Sequence, residues 1–159
     1  MPEPLSPSAQ KVQDTLSALG LTTRVVELPE STRTAERAAK ALDCELGQIA
    51  KSLVFKVKRT RHPLLVIASG ANRVNVARLR ELVGERVIIA HPDYVRKHTG
   101  FSIGGVPPVG HTQVLRTLID EDLMRYDRIW ASAGTPNAVF ELDPRDLEEM
   151  TGGAVIGVT

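Results

Sequence analysis

The chain has 159 residues, 42% of them hydrophobic and 25% charged, with 20 Lys plus Arg against 19 Asp plus Glu. These values describe a globular chain able to bury a core without disulfides or metal, and a net charge of +1 excludes any bulk electrostatic signature for nucleic acid. A single cysteine, Cys44, excludes an internal disulfide and a CxxC metal site and fits a reducing cytoplasm, while no apolar run approaches the ~18 residues of a membrane span.

We expect one domain over residues 1–159, with residues 1–7 loose, and no secretory signal in MPEPLSPSAQ. SPSAQKVQDTLSALG predicts a helix capped by Ser6 with Pro7 in its first turn, Ala9, Val12, Leu16 and Leu19 recurring at helical spacing. TTRVVEL reads as a short strand. TAERAAKALDC is a second helix, capped by Thr34, with a small-residue stripe suited to close packing on a sheet. IAKSLVFKVK is a strand on which Lys51 shares parity with Ile49, Leu53 and Phe55. PLLVIASG is the most hydrophobic run and the expected central strand.

Asn75 caps a helix over NVARLRELVG, RVIIA is a strand, and HPDYVRKHTG is a short helix. After the segment FSIGGVPPVGH come a strand in QVLRTLID and a short helix near EDLMRYD. The strands RIWASAG and AVFEL are joined by a GTPN turn, Asp143 and Pro144 start a last helix, and AVIGV closes the chain as a strand. Mixed elements with late strands joined by short connections predict an α+β fold with a mixed or largely antiparallel sheet.

Nucleotide-loop, GxSxG and HExxH motifs are absent, and His62, His91, His98 and His111 include no pair at metal-ligand spacing, so no metal or cofactor is expected. A lone Cys44 near a helix end reads as a small buried hydrophobe. Lys51 has two readings. It snorkels or pairs with a carboxylate such as Glu27, or it stands as a cation on the floor of a pocket, facing a phosphate, carbonyl or developing oxyanion.

FSIGGVPPVGH also has two. It is an ordinary surface connection, or a stiff segment whose main-chain N–H groups, from Gly104, Gly105 and Val106, form an oxyanion hole. His111 at its end is either a base or a partner for a loop carbonyl. Lys56, Lys58, Arg59 and Arg61 in KVKRTRH form either a phosphate-contacting patch or a solvated hairpin tip.

TAERAAKAL…GQIAKSLVFKV, ANRVNVARL, TGFSIGGVPPVGH and IWASAGTPNAVFEL, in this order from about Thr23 to the C-terminus, resemble the YbaK family of aminoacyl-tRNA deacylase domains. The family also occurs within or beside bacterial prolyl-tRNA synthetases. The resemblance implies a mixed α+β domain with a barrel-like central sheet flanked by helices. It implies hydrolysis in trans of the ester of a mischarged tRNA, of cysteinyl- or alanyl-tRNA(Pro) type.

On that likeness Lys51 matches the family lysine, and Gly104, Gly105, Val106, Pro107 and Pro108 match the Gly/Pro loop. Ser132 and Gly134 match the SAG strand end, and His111 lies beside the substrate. Asn75 stands where the family often has aspartate. The implied partner is the acceptor end of a mischarged tRNA, held through Lys56, Lys58, Arg59 and Arg61, with delivery by a prolyl-tRNA synthetase or an elongation factor and no membrane or metal. The nucleophile is water or the thiol of a cysteinyl substrate. The rival reading is a module that binds aminoacyl-tRNA or nucleotide without catalysis.

Overall fold

In the computed structural model, which describes residues 4–159, the elements run α1 (Pro7–Ala18), β1 (Val26–Glu27), α2 (Ala35–Leu42), β2 (Ile49–Val57), β3 (Pro63–Ser69), α3 (Val76–Val83), β4 (Val87–Ile89), α4 (Pro92–Thr99), β5 (Arg116–Asp120), β6 (Ile129–Ser132), β7 (Ala138–Leu142), α5 (Asp146–Thr151) and β8 (Ala154–Ile156). Short 3₁₀ turns occupy Leu46–Gln48 and Glu121–Arg125. Of residues 1–7, expected to be loose, the first three lie outside the described residues, whereas Leu5 packs against the core, Ser6 N is bonded to Glu27 and Pro7 starts α1. No described helix is long and apolar enough to cross a membrane.

The elements follow the local chemistry closely. Thr34 Oγ1 accepts from Arg37 N at the start of α2, and Asn75 Oδ1 accepts from the Ala77 and Arg78 amides at the start of α3. Ser6 occupies the capping position of α1 without using its hydroxyl; its own N–H donates to Glu27 Oε1 at 2.6 Å. Strand β1 is shorter than TTRVVEL predicts because the Val25 N–H is taken by the buried Gln13 side chain of α1, at 2.8 Å. Helix α5 starts at Asp146, later than expected, because Asp143 Oδ1 accepts from Arg145 N and closes a turn of its own.

The sheet runs β1-β7-β6-β2-β3-β5-β8, with β4 added to β2. Pairs β1/β7, β6/β7, β2/β3 and β2/β4 are antiparallel, and β2/β6, β3/β5 and β5/β8 are parallel. The expected α+β architecture with a mixed sheet is thus observed. Every residue of β3 is buried because both sheet faces are covered. Ala50, Val54, Leu65 and Ile67 pack with Ala9, Val12 and Leu16 of α1 and with Phe101, Val106 and Val109. Leu64, Val66, Ala68 and Phe55 pack with Leu79 of α3 and Val158. The segment 105–109 is buried throughout while Ser102 and Ile103 are exposed, so FSIGGVPPVGH dips from the surface into the core and is more than a surface connection.

Candidate active site

Strand β2 has a full antiparallel partner on one side only. Along its other side β6 pairs with Ile49 and Ala50, and β4 pairs with Phe55, Lys56 and Val57. The sheet therefore has a notch beside residues 51–54. A cavity of about 480 Å³ fills it, lined by Lys51, Ser52, Leu53, Arg33, Glu36, Ile89, Val95, Ile103, Gly104, Val106 and Ser132, among others. Strand β2 thus forms one wall and the Gly/Pro loop another. Lys51, Gly104 and Val106, far apart in sequence, meet across this space.

Lys51 is half-buried, and its Nζ donates to the Asn72 carbonyl at 2.8 Å. No ion pair among the described residues includes it. Glu27, one expected partner, is engaged by the Ser6 amide instead. An ammonium has three donors, so the Asn72 bond leaves two for a ligand.

The Asn72 peptide is itself held. Its Nδ2 donates to Asp120 Oδ2 at 2.8 Å and to Asp122 Oδ2 at 2.7 Å. Asp120 is buried and also accepts from Ser69 N and Asp122 N, each at 3.0 Å. Two carboxylates thereby fix the carbonyl that fixes the lysine. Asp120→Ala strands three donors and is expected to cost roughly 2–4 kcal/mol of folding stability, the scale of one to two unpaired buried groups. Urea denaturation checks this.

The loop supplies the complementary groups. Gly104, at φ +91°, takes a backbone conformation open to glycine, and the stem of Arg33 lies where its Cβ would be, with Cγ at 3.0 Å. Among the described residues, the Gly104 and Val106 amides have no main-chain or side-chain acceptor. Gly105 differs from the expected donor set, because its N–H closes a turn on Ser102 O at 3.0 Å. Its contribution is closeness: a Cβ there would meet the Thr135 backbone at 2.9 Å. Its carbonyl accepts from Gly134 N at 2.9 Å, which pins the loop to the end of β6.

The remaining expected residues divide. Ser132 lines the cavity; Pro107, Pro108 and Gly134 do not, the two prolines being buried and Gly134 N bonded to the Gly105 carbonyl. His111 lies at a second depression, lined also by Pro108 and Val114, and its Nε2 sits 2.7 Å from the Pro107 carbonyl. Nε2 must carry hydrogen to make that bond. Cys44 packs against α2 outside the cavity, and burial, with Asp43 and Glu45 beside it, raises its thiol pKa, which suits an inert group.

The basic turn lies at the far end of β2, seven residues and thus ~23 Å from Lys51 to Lys58 along an extended strand. There Arg59 pairs with Glu85 at 2.8 Å, Lys56 Nζ lies 5.1 Å from the Tyr94 ring centre, and the Arg61 carbonyl accepts from Tyr94 OH.

Burial lowers the pKa of His111 below 6.5; the Pro107 bond opposes this and Lys11 reinforces it. Between the folded value and 6.5 the unfolded chain binds more protons, so this group's contribution to stability falls as pH drops through that window. His111→Gln keeps a donor for Pro107 and removes the titration. We expect wild type to lose more stability than the variant between about pH 7.5 and about pH 5, measured as urea midpoints.

Sequence reasoning missed Arg33, Ser52, Ile89 and Ile103 at the cavity. Arg33 precedes the Thr34 cap, a cation ahead of a helix start, and that was the one available signal. Ile89 and Ile103 are 73% and 48% exposed, an apolar rim visible only once the chain is folded.

A family model for the aminoacyl-tRNA editing domain matches residues 29–150. The chain is 31% identical over 127 residues, 80% of each chain, to YwhH of Bacillus subtilis (strain 168), a protein named as uncharacterized. It is 29% identical over 126 residues (79% of this chain, 76% of the relative) to EbsC of Enterococcus faecalis (strain ATCC 700802 / V583), named as a candidate Cys-tRNA(Pro)/Cys-tRNA(Cys) deacylase. A crystal structure described as a candidate trans-editing enzyme for prolyl-tRNA synthetase superposes with a TM-score of 0.93 at 46% identity, covering 98% of this chain and 99% of that one.

Proposed function

Because the chain belongs to the aminoacyl-tRNA editing domain family, we propose that it works as a cytoplasmic deacylase, hydrolysing in trans the ester between a wrong amino acid and the terminal ribose of tRNA, with cysteinyl- or alanyl-tRNA(Pro) as the substrate type. The observation that carries this reading is the cavity in which the Lys51 ammonium faces a loop with free amides at Gly104 and Val106.

Attack on the ester carbonyl puts negative charge on its oxygen. The Gly104 and Val106 amides donate to that oxyanion, and each such donor is worth ~3 kcal/mol of barrier. Lys51, with two free N–H groups, adds positive charge at the carbonyl oxygen or the terminal phosphate and orients the aminoacyl-adenosine. The attacking oxygen comes from water, whose proton ends on the ribose oxygen as the C–O bond breaks, leaving free amino acid and tRNA. A cysteinyl substrate offers its own thiol as the alternative nucleophile: the sulfur closes on the acyl carbon as the C–O bond to ribose breaks, and the thiol proton ends on the ribose oxygen, leaving a cyclic thioester and tRNA. Ile89 and Ile103 supply apolar surface for the terminal base, and Arg33 supplies a cation at the same mouth.

The patch of Lys56, Lys58, Arg59 and Arg61 then meets phosphates farther along the acceptor end. The Arg59–Glu85 pair weakens one of these cations, so binding is expected to be modest and salt-sensitive, with a synthetase or elongation factor assisting delivery. The test is deacylation of tRNA(Pro) charged with cysteine, alanine, serine or proline. Release of a wrong amino acid with sparing of prolyl-tRNA supports the reading. Rates equal to buffer on all four, or turnover of small esters without tRNA, overturn it.

A further inference from the structure

Residues 106–110 lie in no helix or strand, and 106–109 are buried. Among the described residues they take part in one hydrogen bond, that between the Pro107 carbonyl and His111 Nε2 at 2.7 Å. This segment bears the free Val106 amide, so whatever holds it also holds that donor. Pro107 and Pro108 have no N–H to contribute. Upstream, the loop is tied twice, from Gly105 N to Ser102 O and from Gly134 N to Gly105 O. Downstream, its base is closed where Thr112 N donates to Thr99 O and Thr112 Oγ1 donates to His98 O, each at 3.1 Å. Between these anchors the imidazole supplies the one polar tie.

A carbonyl on a buried residue needs a donor, and His111 provides it. The ring is itself held. Buried Phe101 meets it edge-on, with centroids 6.5 Å apart and planes at 83°, and Lys11 Nζ of α1 stands 4.9 Å from the Phe101 ring centre. Lys11 is the charged group acting on His111, and the depression that the ring lines has no other titratable side chain among the described residues. The ring is absent from the walls of the notch, where Val106 is present. A base must come within hydrogen-bond reach of its water, and His111 stands outside the cavity that would hold one. Nδ1 is the nitrogen that titrates, so a proton gained there leaves the bond to Pro107 in place.

Resting on the deacylase reading for its reaction, we propose that His111 is a positioning residue, which holds the Val106 N–H at the developing oxyanion through the Pro107 carbonyl and takes no proton from the nucleophile. The link is short. Val106 and Pro107 are adjacent, and the proline ring fixes φ, so a shift of the Pro107 carbonyl passes to the Val106 amide. Loss of the tie leaves the cavity walls of β2 in place and disturbs the point where charge develops, so its effect falls on kcat.

The experiment measures kcat and KM of wild type, His111→Ala and His111→Gln on alanyl- and cysteinyl-tRNA(Pro), from about pH 5.5 to about pH 8, beside NMR spectra of the Val106 amide. His111→Ala is expected to lose ~10- to 100-fold in kcat with KM little changed, the scale of a donor misplaced by up to ~1 Å. His111→Gln, whose Nε2 offers a donor at similar reach, should recover most of that loss and keep the wild-type pH profile. The Val106 resonance should move in His111→Ala and return in His111→Gln. A merely structural histidine would lower the urea midpoint and leave kcat and the resonance of the folded protein where they were.

His111→Gln as slow as His111→Ala, with the acid limb of the pH profile gone, would make His111 a base and overturn the proposal. Equal rates in all three proteins, a loss confined to KM, or an unmoved Val106 resonance in His111→Ala overturns it as well. Wild type that hydrolyses neither charged tRNA sinks the deacylase reading; a Val106 resonance moved by alanine and restored by glutamine then keeps the tie.

Discussion

Lys51→Ala is expected to lower the single-turnover deacylation rate by ~100- to 1,000-fold, comparable with loss of one preorganised oxyanion donor. The size follows from how firmly the cation is placed. The Asn72 carbonyl holds Nζ at 2.8 Å, and Asn72 is fastened to Asp120 and Asp122, so the charge needs little reorganisation as the carbonyl oxygen becomes negative. Lys51→Arg should recover little, because a planar guanidinium cannot keep the Asn72 bond and also direct two donors as a compact ammonium does. Folding should hardly change in Lys51→Ala, since the lysine is half-buried and outside every ion pair among the described residues. Unchanged urea midpoints beside a collapsed rate mark a chemical role; an unchanged rate removes Lys51 from the reaction.

Gly105→Ala should damage stability and activity together. The added Cβ would lie 2.9 Å from the Thr135 Cα and carbonyl carbon, where backbone has no flexible end to swing away. Relief requires the loop to lift, which breaks the bond from Gly134 N to Gly105 O and moves the Gly104 and Val106 amides with it. A cost of ~1–3 kcal/mol in folding, the range for overpacking a well-filled site, is expected from urea denaturation. A misplacement near 1 Å is enough for a rate loss of ~100-fold. Gly104→Ala has a different signature: its Cβ would press on the flexible Arg33 stem, while φ +91° strains the backbone.

Much of this molecule was legible from residue order. Caps at Thr34 and Asn75, the Pro7 start of α1 and the apolar run Leu64–Ala68 of β3 each rest on chemistry within a few neighbours, and each is where local rules put it. What was hidden depends on long-range meetings. Nothing near Lys51 announces that its partner is a carbonyl 21 residues on, or that Asp120 and Asp122, 48 and 50 residues beyond Asn72, hold that carbonyl. Gly105 looks like its neighbour Gly104, and only the turn on Ser102 separates a tied amide from a free one. The notch beside residues 51–54 exists because two strands stop short on one side of β2, a property of the sheet and not of any motif.

The central claim is that Lys51 and the loop amides act on one oxygen. A crystal structure with bound 3′-alanylamino-3′-deoxyadenosine tests it most directly. The account predicts the acyl carbonyl oxygen within hydrogen-bond distance, ~2.7–3.2 Å, of the Gly104 or Val106 N–H, with the Lys51 ammonium on the same oxygen or the adjoining ribose end. An analogue seated in the His111 depression, or one in the notch with its carbonyl turned away from both groups, would contradict it.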